Sequence, residues 1–413
     1  MVLQENKIPQ VYLDPKWLRG ESTFIHGFLN GYSEEQVFHF HSGIPLVNYG
    51  DVLVDCILSI TNTIEAHNYA LDKGKELFEP YVKSEKELKC KTYFLCINSN
   101  NIDQGGTLFL PIEIINCKIG WFPNPEKLFS RHKGLLAYET LISKKVAIVG
   151  MGSFGSHLAV ELAKAGVLHF TLIDNDRLES ENIVRHACGQ RDLGRFKTKA
   201  VKDVLNDKNS RVSIETFEGT LEQYIEHYKD GLSNFDLILG CTDNNSSRFL
   251  LSHIALTHNI PLLIGKAFSA AEGGDVFVQK SQDEACYACH LDFSNPEHNQ
   301  EISSETQRQK QAPTYGITAT MPATIQIGLS SDLNPIINQM VKLALLQLSQ
   351  YDSDTYPMLM NELSHNYFIW ANRREDYFAN WQPFHNSKNQ PTILRWYGAK
   401  IHKNKDCVCN SCL

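Results

Sequence analysis

The amino-acid sequence predicts an α/β protein built on a doubly wound, mostly parallel sheet, with a smaller α+β domain in front of it. Two observations favour this fold class. From about residue 140 onward, short apolar runs alternate with amphipathic stretches of helical periodicity, which is typical of parallel strands covered by helices on both faces. Residues 1–125 instead combine apolar and strand-like runs with turn-forming segments.

The bulk properties limit the class of protein. The chain has 413 residues, more than one typical domain, and we expect two domains at residues 1–125 and 126–413. A net charge of -8 disfavours a general nucleic-acid binder. We find neither a signal peptide nor the roughly 18–20 uninterrupted apolar residues of a membrane span. We therefore expect a cytoplasmic protein with no nucleic-acid or membrane partner.

The first domain contains no motif that we connect with chemistry. Strand-like runs occur at residues 92–97 and 106–112, and the prolines at 123 and 125 mark the domain boundary. His39 and His41 would share one face of a strand and could form half of a metal site. No acidic partner is evident, so a packed or surface pair is the simpler interpretation.

A glycine-rich turn follows the first strand of the second domain. Residues 146–149 form an apolar run, which predicts a strand buried on both faces. Gly150, Gly152 and Gly155 form a GxGxxG pattern directly after it, and a helix is predicted at residues 156–165. Such a turn lets the backbone approach phosphates, and the helix N-terminus attracts anions. The segment predicts a nucleotide site in a Rossmann-like domain.

The residues that follow favour ATP as the nucleotide. Asp174 ends the next apolar run and lies 24 residues after Gly150, near the spacing of a ribose-binding carboxylate. A nicotinamide enzyme fits equally well to this point. Arg185 and Lys197 are the cations that cleavage of a triphosphate needs, although incidental surface cations are the alternative.

A second acidic residue follows the strand predicted at residues 235–240. Ligands of doubly wound sheets bind at the carboxyl ends of the strands. Asp243 is therefore placed to hold Mg²⁺ or to orient phosphates. A helix N-cap is the competing interpretation.

Two CxxC pairs predict a structural Zn²⁺ site. Cys286 with Cys289, and Cys409 with Cys412, supply four thiolates that would staple the C-terminal tail to the body of the domain. Cys407 is an alternative ligand, and a redox pair is the competing interpretation. The remaining cysteines lie in apolar stretches and are interpreted as small buried hydrophobic residues: Cys56, Cys90, Cys96, Cys117, Cys188 and Cys241.

With these motifs in place, the stretch from about Arg131 to Leu413 resembles the ubiquitin-activating-like adenylating superfamily of ThiF, MoeB and MccB types. It is closest in kind to the peptide-modifying members of the MccB and pantocin (PaaA) type. The resemblance implies an acyl-adenylate-forming, pyrophosphate-releasing adenylyltransferase that uses ATP and Mg²⁺, contains structural Zn²⁺ and forms a homodimer.

The resemblance also implies roles for individual residues. The nucleotide-binding set comprises Gly150, Gly152, Gly155, Asp174, Asp176, Asn182, Thr242 and Asn244. The set acting on the triphosphate comprises Arg185, Lys197, Asp243 through Mg²⁺, and Arg131 from the neighbouring subunit.

The sequence departs from the family pattern at two places. His186 stands where many relatives have glutamine. The chain also has no cysteine between Cys289 and Cys407, where members with a thioester relay carry one. A hydroxyl is a poor substitute for a thiolate, so a relay in that segment is excluded.

Two substrate classes fit these features. Our leading hypothesis is a ribosomally made precursor peptide, bound by residues 1–125 through strand addition to a sheet edge and then matured. The alternative is activation of the C-terminus of a ubiquitin-like protein for sulfur transfer or bacterial conjugation. The set of Asp174, Arg185, Lys197 and Asp243 disfavours both a scaffold without turnover and a nicotinamide oxidoreductase.

Overall fold

Two compact units divide the chain, residues 1–130 and residues 131–413. The computed structural model describes residues 10–13, 23–32, 35, 37–41, 52–61, 68–75, 92–98, 106–109, 114–121, 128–132, 134–135, 138–209, 211–268, 271–293, 328–349, 364–374, 378 and 393–407. The boundary predicted after residue 125 falls outside these residues.

The first unit is a closed barrel of seven strands. In chain order they are β1 (Gln10–Leu13), β2 (Thr23–Tyr32), β3 (Val37–His41), β4 (Val52–Thr61), β5 (Thr92–Asn98), β6 (Gly106–Phe109) and β7 (Ile114–Trp121). The order around the barrel is β1-β3-β2-β4-β5-β6-β7. β1 closes it by pairing in parallel with both β3 and β7, with Gln10 opposite Val37 and Lys118. Residues 68–75 are helical.

Alternating side chains fill the barrel. In β3, Phe38 and Phe40 point inward and are buried, whereas His39 and His41 are only partly buried. The two histidine rings lie 6.4 Å apart, and that of His39 packs edge-on against Tyr12. Within the described ranges no third metal-ligating side chain joins them. The histidines therefore form a packed pair.

The second unit contains an eight-stranded sheet. Its strands are β8 (Lys145–Val149), β9 (His169–Ile173), β10 (Ser213–Phe217), β11 (Leu237–Gly240), β12 (Leu262–Ala267), β13 (Gly273–Gln279), β14 (Tyr367–Ala371) and β15 (Arg395–Ala399). The strand order is β10-β9-β8-β11-β12-β13-β14-β15. The first five are parallel to one another, as predicted, and the last three continue the sheet in antiparallel pairs.

Helices cover both faces of this sheet. They are α1 (Tyr138–Leu141), α2 (Ser153–Ala165), α3 (Lys197–Lys208), α4 (Leu221–His227), α5 (Asn245–His258), α6 (Tyr287–Phe293) and α7 (Ser330–Ser349). α2, α3 and α7 share one core cluster with Val146 and Ile148 of β8. α4, α5 and α6 share the other with Ala147 and Val149. Among the described helices, none combines the length and hydropathy needed to cross a bilayer.

Helix α2 shows how the sequence shapes the nucleotide edge of the sheet. Its apolar stripe includes Leu158 and Leu162, both fully buried, and each contributes roughly 2 kcal/mol of hydrophobic stabilisation. Gly166 ends the helix in the left-handed conformation at φ 114°, with its N–H bonded to carbonyls of the last turn. The helix begins at Ser153, three residues before its predicted start, because the end of the glycine turn is already helical.

Candidate nucleotide site and thiolate cluster

The glycine turn lies where β8 and β11 approach each other. Gly150 has φ +93°, and a Cβ there would lie 2.7 Å from the Cys241 carbonyl oxygen. A Cβ on Gly155 would overlap the carbonyl oxygen of Gly150. Among the described residues, no atom beyond its neighbours in the chain lies within 4 Å of the Cβ position of Gly152, just before α2 begins. The turn therefore combines tight packing underneath with open backbone at the N-terminus of a helix, a favourable place for an anion.

Asp174 holds the glycine turn from the adjacent strand. Its carboxylate accepts hydrogen bonds from the backbone N–H of Met151 at 2.5 Å and of Asp176 at 2.7 Å. Burial raises the pKa of this carboxyl, and the two backbone hydrogen bonds and the charge of Lys197 oppose the rise. Asp174 thus lies at the turn, and its ribose-binding role remains a prediction.

Lys197 is bound to a carboxylate at the same edge. Its Nζ lies 2.8 Å from Asp176 Oδ2, with the lysine side chain 10% exposed and the aspartate 59% exposed. The backbone N–H of Lys197 also donates to the Asp176 carbonyl at 3.0 Å. The cation is therefore held in place at the N-terminus of α3, while its partner faces solvent.

Two further contacts fix the segment ahead of Lys197. The guanidinium carbon of Arg177 lies 3.8 Å from the ring centre of Phe196. Its Nη1 donates to the carbonyl of Gly194 at 2.7 Å, and Gly194 has φ +79°. Gly194 lies three residues before Lys197. Its left-handed conformation lets the chain turn, so that Lys197 returns to Asp176.

Arg185 lies directly before His186, whose ring is hydrogen-bonded to the glycine turn. It ends the 3-10 helix Ile183–Arg185 and is partly buried. The side chain of Asn182, just before that helix, accepts a hydrogen bond from the N–H of Glu179 at 3.0 Å, so its oxygen shapes a local turn. The predicted roles of Arg185 and Asn182 toward the nucleotide remain predictions.

His186, which departs from the family pattern, has a structural role. Its Nε2 lies 2.7 Å from the carbonyl oxygen of Met151, and its Nδ1 accepts from the N–H of Cys188 at 3.0 Å. A carbonyl only accepts and an N–H only donates, so the neutral ring carries its proton on Nε2. The pKa of His186 is lowered to about 4, mainly by burial; the hydrogen bond to Met151 opposes the lowering and the charge of Lys197 adds to it. The histidine ties the Arg185 segment to the glycine turn.

His186 should make folding stability depend on pH. Its folded-state pKa of about 4 lies below the ordinary 6.5, so between these values the unfolded chain binds more protons. The contribution of neutral His186 to the free energy of unfolding is complete above pH 6.5. It decreases by about 3 kcal/mol as the pH falls to 4. We expect His186→Gln, which retains a donor for Met151, to show a smaller loss of unfolding temperature between pH 7 and pH 4 than the wild type. Equal losses would contradict the prediction.

Asp243 is an exposed carboxylate beside the glycine turn. The N–H of Cys241 donates to the Val149 carbonyl at 2.8 Å, which places the end of β11 next to the end of β8. The N-cap of α5 is Asn244, whose Oδ1 accepts from the N–H of Ser247 at 2.8 Å. The alternative of an N-cap role for Asp243 is therefore wrong, and its carboxylate is left for another use.

Arg131 lies in the short 3-10 helix Ser130–His132 and is exposed. Exposure is a requirement for contact with a second subunit. The homodimer and the role of Arg131 in it remain predictions.

Three cysteines form a buried cluster on the α5 and α6 side of the sheet. The Sγ atom of Cys286 lies 3.6 Å from that of Cys289 and 3.5 Å from that of Cys407. The N–H of Asn404 donates to Cys289 Sγ at 3.3 Å. Although burial opposes it, this hydrogen bond and others from the neighbouring cysteines lower the pKa of Cys289.

Within the described residues, the cluster contains part of the predicted set of metal ligands. Cys286 and Cys289 are in place, and Cys407, the alternative ligand, is the third member. Cys409 and Cys412 lie outside the described residues. Three thiols within 4.8 Å of one another are a donor set that fits Zn²⁺, with one further ligand needed for tetrahedral coordination.

The fold and these contacts define a class of protein. Five parallel strands, a glycine turn after the first and an acidic residue after the second form a Rossmann-like nucleotide-binding domain. Residues 127–363, more than half of the chain, match the ThiF family, and the chain belongs to this family.

Curated relatives share part of their length with this chain. It is 27% identical over 180 residues to adenylyltransferase and sulfurtransferase UBA4 of Meyerozyma guilliermondii, covering 43% of this chain and 41% of that protein. It is 27% identical over 198 residues to the sulfur carrier protein ThiS adenylyltransferase of Escherichia coli, covering 47% and 75%. The chain thus spans less than half of the UBA4 relative.

Solved structures with some similarity include Escherichia coli MccB with MccA, at 18% identity and a TM-score of 0.48 over 70% of this chain and 75% of that one. PaaA matches at 20% identity and a TM-score of 0.41 over 65% and 67%. The family assignment rests on the sequence match of residues 127–363.

Proposed function

We propose that this ThiF-family protein is an ATP-dependent adenylyltransferase that activates the C-terminal carboxylate of a ubiquitin-like sulfur carrier protein. The observation that carries the proposal is the arrangement of Asp174, Lys197 and Asp243 around the glycine turn at the carboxyl edge of the sheet. Relatives named as adenylyltransferases, one of them acting on the sulfur carrier ThiS, support the same step.

The ATP would lie across the ends of β8 and β9. Asp174 would accept hydrogen bonds from the ribose hydroxyls, and the phosphates would lie over Gly152 and the N-terminus of α2. Lys197 would exchange its exposed partner Asp176 for phosphate oxygens, with Arg185 as the second cation. The ion pair with Asp176 keeps the ammonium of Lys197 in place before the nucleotide binds.

Asp243 is the residue that fits Mg²⁺. It is an exposed carboxylate one residue beyond Thr242, whose backbone N lies close to the Gly150 position. Carboxylates together with substrate phosphates are the usual ligands of this ion. Bound there, Mg²⁺ would offset the negative charge of the β- and γ-phosphates.

The reaction needs no general base, because a C-terminal carboxylate is already ionised at neutral pH. One of its oxygens attacks the α-phosphorus and forms an acyl–phosphate bond. The bond from the α-phosphorus to the bridging oxygen breaks, and pyrophosphate leaves with that electron pair. Lys197 and Arg185 would stabilise the charge that develops on the departing phosphates.

The acyl-adenylate would be handed to a second molecule. The chain has no cysteine at residues 290–406, so a thioester relay in that segment is not available. We propose that a separate sulfur donor attacks the carbonyl carbon and releases AMP.

A precursor peptide is the second candidate substrate, because the lack of a relay thiol suits peptide maturation equally well. In our leading hypothesis the peptide is bound by the first unit, for example by strand addition to a sheet edge. The seven strands described there close on themselves through the β1 and β7 pair, which leaves no edge among them. The curated relatives named for sulfur transfer and for the sulfur carrier ThiS make the sulfur carrier the better supported substrate. The clamp role of residues 1–125 stays a prediction.

We also propose that Cys286, Cys289 and Cys407 hold structural Zn²⁺ together with one ligand from the C-terminal tail. Four thiolates would leave no open coordination position for catalysis.

The test is ATP–pyrophosphate exchange with Mg²⁺. We expect exchange to require a sulfur carrier ending in Gly-Gly and to disappear when both glycines are deleted from that carrier. A short precursor peptide from a neighbouring gene, assayed in parallel, tests the second candidate. Exchange with the peptide alone would replace the carrier as substrate, and no exchange with either would overturn the proposed function.

A further inference from the structure

A chain of hydrogen bonds supports the loop that carries Asp243. Arg248 Nη2 donates to the carbonyl oxygen of Thr242 at 2.7 Å. Arg248 Nη1 donates to Asn245 Oδ1 at 3.2 Å, and the hydroxyl of Tyr287 donates to the same oxygen at 2.9 Å. The segment on either side of Asp243 is thus bound to side chains of α5 and α6.

Tyr287 is a rigid anchor for this chain of contacts. It is fully buried, and its backbone N–H donates to Ser252 Oγ at 3.1 Å. Ser252 Oγ in turn donates to Gln279 of β13 at 2.6 Å. The tyrosine ring packs edge-on against Phe249 with 5.3 Å between centroids. Its hydroxyl is therefore presented to Asn245 from a fixed position.

The chemistry of the donors determines how Asn245 is oriented. A guanidinium only donates, so the amide oxygen of Asn245 must face Arg248. The Tyr287 hydroxyl donates to the same oxygen and so favours the same orientation. Arg248 is itself 7% exposed, and a buried guanidinium needs its donors paired. Removing the hydroxyl would loosen Asn245, then Arg248, then the Thr242 carbonyl.

A phenylalanine would fill the apolar pocket around Tyr287 equally well. The hydroxyl is the one part of this side chain that the hydrophobic cluster does not account for, and it reaches the loop of the nucleotide site. The specific role of the tyrosine therefore concerns the loop.

We infer that Tyr287 is a positioning residue for the adenylation reaction: through Asn245 and Arg248, its hydroxyl holds the Thr242 carbonyl and so directs Asp243 toward the magnesium-bound phosphates. The inference rests on the proposed function in one respect, the use of Mg²⁺ by Asp243. Tyr287 itself is fully buried and would act on the nucleotide only through this chain of contacts.

The test measures ATP affinity by calorimetry with and without Mg²⁺, on the full chain. Wild type should bind ATP more tightly with Mg²⁺. Tyr287→Phe should lose about fivefold of that gain, the effect of one buried hydrogen bond, with unchanged affinity in the absence of Mg²⁺. The matched control is Tyr224→Phe, a buried tyrosine on the same face of the sheet that should behave as wild type.

A double substitution separates positioning from general loss of stability. Asn245→Ala removes the shared acceptor, so adding Tyr287→Phe to it should cause no further loss of the Mg²⁺-dependent gain. If Tyr287→Phe kept the full Mg²⁺-dependent increase in ATP affinity, or if the losses in the double variant were additive, the inference would be overturned and the proposed function would stand. A wild-type affinity that ignores Mg²⁺ would instead contradict the proposed role of Asp243, and the inference with it.

Discussion

Lys197→Met is expected to reduce carrier-dependent ATP–pyrophosphate exchange by about 100- to 1,000-fold, the usual effect of losing one preorganised group that stabilises transition-state charge. Methionine fills much the same space, so the buried stem of the side chain keeps its packing. What is lost is the ammonium that Asp176 now holds at 2.8 Å beside the glycine turn. Steady-state exchange rates at saturating ATP and carrier measure the effect.

Lys199→Met is the control for this experiment. It lies two residues further along α3, its side chain is 48% exposed, and it pairs with Glu218 and Thr216 on the sheet. We expect exchange within about threefold of wild type, since a surface ion pair contributes little. If Lys197→Met loses less than about tenfold, the triphosphate is not bound by this lysine.

Cys407→Ser is expected to abolish Zn²⁺ binding and to lower the unfolding temperature by more than about 10 °C. A structural Zn²⁺ site contributes folding free energy directly, and a serine hydroxyl is a poor ligand for this ion. Zinc content per chain, measured by mass spectrometry of the purified protein, should fall from about one to near zero. Cys286→Ser should give the same result.

Cys188→Ser provides the comparison. This thiol is also buried, and burial raises its pKa to about 12, but it lies in the core cluster on the other face of the sheet. The variant should be moderately destabilised and should retain its zinc. Full zinc content in Cys407→Ser would contradict the role of Cys407 and favour Cys409 and Cys412 as the partners of the first CxxC pair.

Much of the nucleotide edge could be predicted from the sequence because its signals are local. The glycine turn, the strand before it and the helix after it are contiguous, and the position of Asp174 follows from counting residues to the next strand end. Parallel neighbours then bring Asp243 to the same edge, since β8 and β11 end together. The structure brings the glycine turn, Asp174 and the end of β11 to one edge of the sheet, and their roles toward a nucleotide remain predictions.

The errors and omissions arose where local pattern and three-dimensional contact differ. Spacing favours the regular pair Cys409 and Cys412, which lie outside the described residues, and gives no reason to expect Cys407 beside the first CxxC pair, where the structure places it. Asp243 and Asn244 are both good N-caps, and only the hydrogen bond to Ser247 decides between them. His186 gave no sequence signal, because its partner Met151 lies 35 residues away.

The barrel was beyond sequence reasoning for a related cause. β1 pairs in parallel with β3 and β7, so closure depends on contacts between residues as distant as Gln10 and Lys118. Each strand alone predicts only that it belongs to some sheet.

The cluster of Cys286, Cys289 and Cys407 has a consequence for the order in which the chain folds. Cys286 and Cys407 are 121 residues apart in sequence. In the chain-entropy model, a cross-link over such a loop is worth on the order of 5 kcal/mol. A ribosome releases the chain from its N-terminus, so β8 to β12 are complete long before Cys407 emerges. Binding of Zn²⁺ by Cys407 would then connect the segment after β15 to α6 only after the strands of the nucleotide edge have been made.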